Sequence, residues 1–274
     1  MPLSKQGIVT RPYAGGSRGG TSMRNVKRHG SFLSGMREVV WSSLVPTHNQ
    51  VLGDGINLTS ITAGSLIFDR DGGNPPKVWA TAFPSVPCSV CIDTKTASAN
   101  TEVTIRIAGY DQFDRLVEEE ISVIATEKTA LSSHAYSELI QAEVVSKGSS
   151  HVTDLDISVL GASNHSALSV NWTSTDINAS CRIGLPFIPT DPGAVKAIHI
   201  HQNGAAGYVR RTSDNVWEMQ NENGGVADST ALTDADMYGG DIGNACILLP
   251  ANTQSNGHAM VTMVLDRDLI RNFN

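Results

Sequence analysis

The sequence has no apolar run approaching the roughly 18 residues that a membrane-spanning helix needs, and Met1-Pro2-Leu3-Ser4-Lys5 opens without the apolar segment of a secretion signal. The expectation is a soluble protein made and used without passing a membrane. Cysteine is scarce: Cys88, Cys91, Cys181 and Cys246 are too few and too scattered for a disulfide framework, so thiols in a reducing cytoplasm are expected. Charged residues are sparse as well, at 17% against about 25% in an ordinary soluble domain. Aromatic residues reach only 5%, and no acidic residue precedes Glu38.

Ser, Thr, Asn, Ala and Gly fill the deficit, a mixture that suits short strands joined by many turns. With 274 residues, 40% of them apolar, the chain can bury one sizeable core or two small ones.

Net charge is −7, unevenly spread. Residues 1–37 carry seven Lys and Arg and no acid, which leaves 13 basic against 27 acidic residues, or −14, for the rest. Residues 1–35 also contain Gly15-Gly16-Ser17-Arg18-Gly19-Gly20 and show no sustained apolar period, so they cannot bury a face of their own. They read as an extended basic arm that orders when it lies on a partner. Its candidate partner-binding residues are Lys5, Arg11, Tyr13, Arg18, Arg24, Lys27 and Arg28. Nucleic acid is the weaker partner, because the arm offers little aromatic stacking and precedes an acidic body. The acidic surface of a neighbouring subunit complements it better.

From Glu38 onward the apolar period is mostly 2, the spacing of a strand with one wet face. Val103, Ile105 and Ile107 alternate with Thr104, Arg106 and Ala108. After the turn-like Gly109-Tyr110-Asp111-Gln112-Phe113-Asp114, Val117, Ile121 and Val123 alternate with Glu118, Glu120 and Ser122. The two runs predict an antiparallel hairpin. Half-buried strands are also expected at 155–159 and 168–172, with further strands at 37–42, 65–69, 77–80, 89–93, 194–201, 207–211, 215–219, 245–249 and 259–266. A single helix is expected over 132–145, from Ala135, Leu139 and Ala142. The prolines of 184–193 mark a joint between two sheets or two subdomains. The predicted fold is all-β, an antiparallel β-sandwich or jelly roll with an extended N-terminal arm. Residues 1–35 form the arm, 36–190 the body, and 191–274 a second β-rich portion completing or attached to it.

Sites with chemical potential each have a plainer reading. His199 and His201 share a strand face and could hold a metal, but no third ligand is in sight. Cys88-Ser89-Val90-Cys91 has CxxC spacing without a second pair, which reads as two buried thiols in or beside a strand. Asp69-Arg70-Asp71-Gly72-Gly73-Asn74 starts like a calcium loop but lacks the distal Glu, and reads as a turn. Glu118-Glu119-Glu120 could supply paired carboxylates, yet neighbours on a strand point to opposite faces, so a solvated acidic edge is expected. With no Gly-x-Ser-x-Gly elbow, His-Glu-x-x-His helix or phosphate loop, no catalytic residue and no cofactor are assigned.

The segment Thr101 to Glu119 resembles a hairpin common in tailed-bacteriophage virion proteins: an alternating Val/Thr strand, a Gly-x-Asp-Gln-Phe-Gly turn and a Thr/Glu-rich return. This chain puts Asp114 where glycine is usual, which places the tighter turn conformation in question. Ser169-Val170-Asn171-Trp172 with Arg182-Ile183-Gly184-Leu185-Pro186 is similar to a second stretch of the same loose group. The two segments lie within residues 101–186, a stretch that is about a third of the chain. The resemblance implies β-sandwich modules in many copies per particle, without a cofactor, as in capsid cement or decoration proteins. It further implies the major capsid protein, other virion subunits and copies of itself as partners, and the virion as location. A tail-tube, adaptor or other head–tail component is the near alternative. A glycan-binding module would need Trp79, Trp172 or Trp217 facing outward, and an enzyme would need the acidic residues to converge.

Overall fold

A computed structural model describes residues 9–10, 38–46, 50–70, 86–94, 102–124, 129–149, 155–159, 181–202, 205–221, 232–249 and 258–271. The seven arm residues from Lys5 to Arg28, the strands expected at 77–80 and 168–172, Trp79, Trp172 and residues 71–74 of the calcium-like turn all lie outside the described residues.

Along the chain the strands are β1 (Val9–Thr10), β2 (Glu38–Pro46), β3 (Gln50–Ile56), β4 (Ser65–Asp69), β5 (Val90–Asp93), β6 (Val103–Tyr110), β7 (Leu116–Val123), β8 (Thr129–Leu131), β9 (Glu138–Lys147) and β10 (Leu155–Val159). Then come β11 (Cys181–Gly184), β12 (Ile188–Pro189), β13 (Val195–Gln202), β14 (Ala205–Arg211), β15 (Val216–Asn221) and β16 (Leu232–Thr233). Helix α1 (Asp234–Tyr238), β17 (Cys246–Leu249), β18 (His258–Asp266) and β19 (Ile270–Arg271) complete the order. Every strand pairing among the described residues is antiparallel. The all-β expectation holds.

Two cores organise these strands. The first lies between two four-stranded sheets, β4-β9-β6-β7 and β3-β10-β5-β8, both of which contribute to one apolar cluster that includes Ile67, Ile92, Ile105, Ile107, Leu139 and Ile157. The second lies under the seven-stranded sheet β1-β2-β18-β13-β14-β15-β16, against the β11-β17 pair and α1, with Trp41, Phe187, Ile198, Trp217, Tyr238 and Met263 inside. Each fully buried side chain of this size contributes about 1.5–3 kcal/mol by leaving water. Strand β2 belongs to the second sheet although β3 to β10, which follow it in sequence, build the first core, so the early and late parts of the chain interlock.

The expected antiparallel hairpin forms, with Val103 opposite Val123 through Tyr110 opposite Leu116. At its tip Asp114 takes φ +59°, the left-handed conformation that glycine enters without strain. Asp111 makes that shape possible: its buried carboxylate accepts from Phe113 N at 2.8 Å, Arg115 N at 2.9 Å and Arg115 Nε at 2.6 Å. The doubt raised by Asp114 is thereby resolved, since the turn keeps the glycine-type conformation with an aspartate in place.

Two expectations are corrected. Residues 132–145 form no helix; they run through a loop into β9, which lies between β4 and β6. The three-residue spacing of Leu139 and Ala142 arises from an irregularity in register between Ala108 and Gly109, where Ala108 faces Gln141 and Gly109 faces Leu139. An extra residue in one strand mimics a helical period locally. Strand β10, with a neighbouring strand on each edge, is buried along all five residues, Asp156 and Ser158 included. Asp156 Oδ1 accepts from Gly55 N at 2.8 Å. Of the two readings of the proline-rich segment 184–193, the joint between two sheets agrees with the structure: it leads from β11 to β13 about one core, with Pro189 in a two-residue strand paired to β19.

Candidate functional site

Where the two cores meet, polar side chains are buried together. Alternation along β7 turns Glu118 and Glu120 outward and Glu119 inward toward the loop between β8 and β9. Glu119 Oε2 accepts from Ser133 N at 2.9 Å and Ser133 Oγ at 2.6 Å, while Oε1 accepts from Tyr136 OH at 2.8 Å and His134 N at 3.3 Å. Burial works to raise this carboxyl, but hydrogen bonds from His134 and Ser133 outweigh it and hold the group below the ordinary carboxylate range. Tyr136 is pushed well above an ordinary phenol by burial and by the Glu119 charge. The expectation of a wholly solvated acidic edge is therefore corrected at Glu119. Glu118 and Glu120 do remain at the surface, ion-paired to Arg106 at 3.5 and 2.7 Å.

The second core supplies the other half. Arg182 on β11 reaches across with Nη1 donating to Ser132 O at 2.9 Å and Nη2 to Asp236 O at 3.2 Å, while its Nε has no hydrogen-bond partner. Burial lowers its pKa, opposed by the negative charge of Glu119 among others. Cys246 donates its thiol to Ser133 O at 2.9 Å, and Asn244 Nδ2 donates to the same oxygen at 3.4 Å. The hairpin tip completes the joint, with Gln112 Nε2 donating to Ala245 O at 2.6 Å and Asn244 O at 3.2 Å. Gly239, at φ +68°, leaves room for this crossing, since a Cβ there would stand 2.9 Å from Ser133 O and 3.0 Å from Arg182 Nε.

Ser133, His134 and Glu119 are the residue types of a nucleophilic triad, but their order in space is wrong for a relay. A triad imidazole stands between the hydroxyl and the carboxylate. Here Ser133 Oγ gives its proton directly to Glu119, and His134 Nδ1 lies beside both, 3.1 Å from Ser133 Oγ and 3.5 Å from Glu119 Oε1. The arrangement clamps a loop. Sequence reasoning singled out the glutamate run but missed Ser133, His134, Tyr136 and Arg182, because their convergence depends on contacts 14 to 63 residues from Glu119.

The remaining candidates take structural places. Cys88 and Cys91 are buried thiols, as expected of two cysteines beside a strand, and burial pushes Cys88 well above the ordinary thiol value. His199 and His201 lie on the outer face of β13, opposite Thr262 and Met260. Among the described residues no group of three metal-ligating side chains converges. Trp217 is buried, its Nε1 donating at 2.8 Å to Asp234, which also takes a two-point ion pair from Arg211. A surface hollow of about 90 Å³ lined by Arg106, Ala108, Glu118, Gln141 and Glu143 is small beside the ~300 Å³ at which small-molecule pockets begin.

No protein-family model matches the chain, and no curated protein matches it. Among solved structures, the crystal structure of PBSX exported protein XepA aligns over 81% of this chain and 86% of that one, at 12% identity and a TM-score of 0.19. A likeness that slight carries no argument about function.

Proposed function

We propose that this chain is a non-enzymatic structural protein of a bacteriophage particle, of the cement or decoration kind. Its antiparallel body would present polar loops, and its basic arm, residues 1–35, would dock on the acidic surface of neighbouring subunits. The major capsid protein, other virion subunits and further copies of this chain are the partners proposed, with no cofactor and with the virion as location.

The observation that carries the reading is the hairpin tip. The segment with the virion-protein resemblance is used as a plug: Asp111 freezes its backbone, and Gln112 inserts against residues 244–245 of the other core. The nearby titratable groups are likewise committed to holding backbone, as Glu119 and Arg182 show. Such a body suits a rigid part that works through its surface. Several weak contacts in a symmetric shell then add through effective concentration.

Particles or capsids lacking the protein provide the test. Full-length protein is expected to rebind them, and a folded variant without residues 1–35 to lose binding. A full-length protein that ignores capsids and forms rings would move the assignment to the tail, and one that binds glycans would move it to a receptor role.

A further inference from the structure

The seven-stranded sheet has an outer face, on the side away from Trp41, Ile198, Ile200, Val261 and Met263 of the second core. Strand register arranges part of that face in rows. Leu44, Met260 and His201 stand side by side across β2, β18 and β13, and Ser42, Thr262 and His199 form the row beside them. Leu44 is 57% exposed and Met260 49%, and His201 is exposed as well. Strand β18 has a bonded strand on each side, so Met260 is presented from the interior of the sheet, on backbone that cannot shift freely.

Chemistry sets these rows apart from the outer face of β6, β7 and β9. There Arg106 stands among Glu118, Glu120 and Glu143 at 3.5, 2.7 and 3.2 Å, an ion-paired surface suited to water. The rows on β2, β18 and β13 hold no acid, lysine or arginine. Their two large apolar side chains are adjacent, so burying them together removes a single patch from water. Beside that patch Ser42 Oγ and Thr262 Oγ1 share a hydrogen bond at 2.9 Å.

The same chemistry says what fits. Hydroxyls and neutral imidazoles both donate and accept hydrogen bonds, whereas carboxylates only accept and ammonium and guanidinium groups only donate. A face built from Ser, Thr and His around Leu and Met is therefore complementary to itself. A chain of net charge −7 repels its own copies where acidic surfaces meet, and these rows allow contact without that repulsion. A partner selected by charge would gain nothing from them. We propose that a second copy packs on this face, the two sheets about 10 Å apart and related by a two-fold axis, with Leu44 and Met260 of each copy against those of the other. This rests on the structural-protein reading and names the surface through which copies meet. A contact centre of this size pairs weakly in free solution and is strengthened by the many copies of an assembly.

Sedimentation velocity of the full-length protein over a range of concentrations tests it. Wild type is expected to form a dimer whose fraction rises with concentration. Met260→Glu and Met260→Lys each set like charges against one another across the axis, and each should weaken dimerisation by about ten-fold or more. Mixing the two variants should restore it, which misfolded variants could not do. Gln141→Glu, on the ion-paired face of the other sheet, should leave association as in wild type. A wild type that stays monomeric at every concentration, a dimer indifferent to Met260→Glu, or a mixture that stays apart overturns the proposal. Capsid rebinding by wild-type protein separates the two ideas: dimerisation through this face without rebinding refutes the virion reading alone, and rebinding by a protein that stays monomeric refutes the paired face alone.

Discussion

At the scale of single residues, Glu119 has the most at stake. It satisfies four donors in a buried place, and removing an acceptor of that kind strands every donor it served. Glu119→Ala is expected to cost about 3 kcal/mol in urea unfolding. Its carboxyl is held below the ordinary range, so its stabilisation is fully present above the unfolded value of about 4.3 and fades as pH falls through the folded one. Unfolding midpoints of wild type and Glu119→Gln should therefore converge on acidification below that value; a gap that widens would contradict the assignment. The cysteines give a second check. Burial raises Cys181 and Cys246 to about 12, so a thiol reagent at pH 8 should label none of the four native thiols until the protein unfolds. That Glu119 and Glu120 oppose each other was legible from strand alternation alone. The donors on Glu119 were not, because nothing in the local pattern of Ser133 or Tyr136 says which loop will lie across β7.

At the scale of elements, the hairpin of β6 and β7 was legible because apolar residues recur with a period of two on both sides of a turn cluster, although Glu119 takes an inward position in that pattern. Its tip carries a measurable cost. An aspartate at φ +59° is strained relative to glycine by up to about 1 kcal/mol, partly offset by the greater freedom of glycine in the unfolded chain. Asp114→Gly should raise the melting temperature slightly, by the equivalent of about 0.5 kcal/mol. Gly109→Ala should do the reverse and severely, since a Cβ there would collide with the backbone carbonyl of Glu138 and with the Tyr136 ring. Strand β9 was misread for a specific reason: where strands fall out of step, a two-residue period acquires a three-residue gap, and sequence alone cannot separate that gap from a helical turn. The polar residues of β10 misled similarly, because alternation assumes a solvated face and Asp156 instead meets the Gly55 amide.

At the scale of the whole molecule, two apolar cores are fastened by a polar joint in which Gln112 and Arg182 make the reciprocal crossings. Wild-type protein is expected to melt in one calorimetric transition. A Gln112→Ala, Arg182→Leu double variant should split it in two, with the cores unfolding separately; one lowered but undivided transition would show that apolar packing alone couples them. The sheet order has a consequence for biosynthesis. Strand β18, the last long strand of the chain, sits between β2 and β13 and pairs with both. The seven-stranded sheet therefore cannot close until residue 266 has left the ribosome, whereas every strand of the first core is already outside by residue 159. During translation of the remainder, β2 waits with an apolar face uncovered, so a nascent chain stalled before residue 258 should be a substrate for chaperones rather than a shorter folded protein.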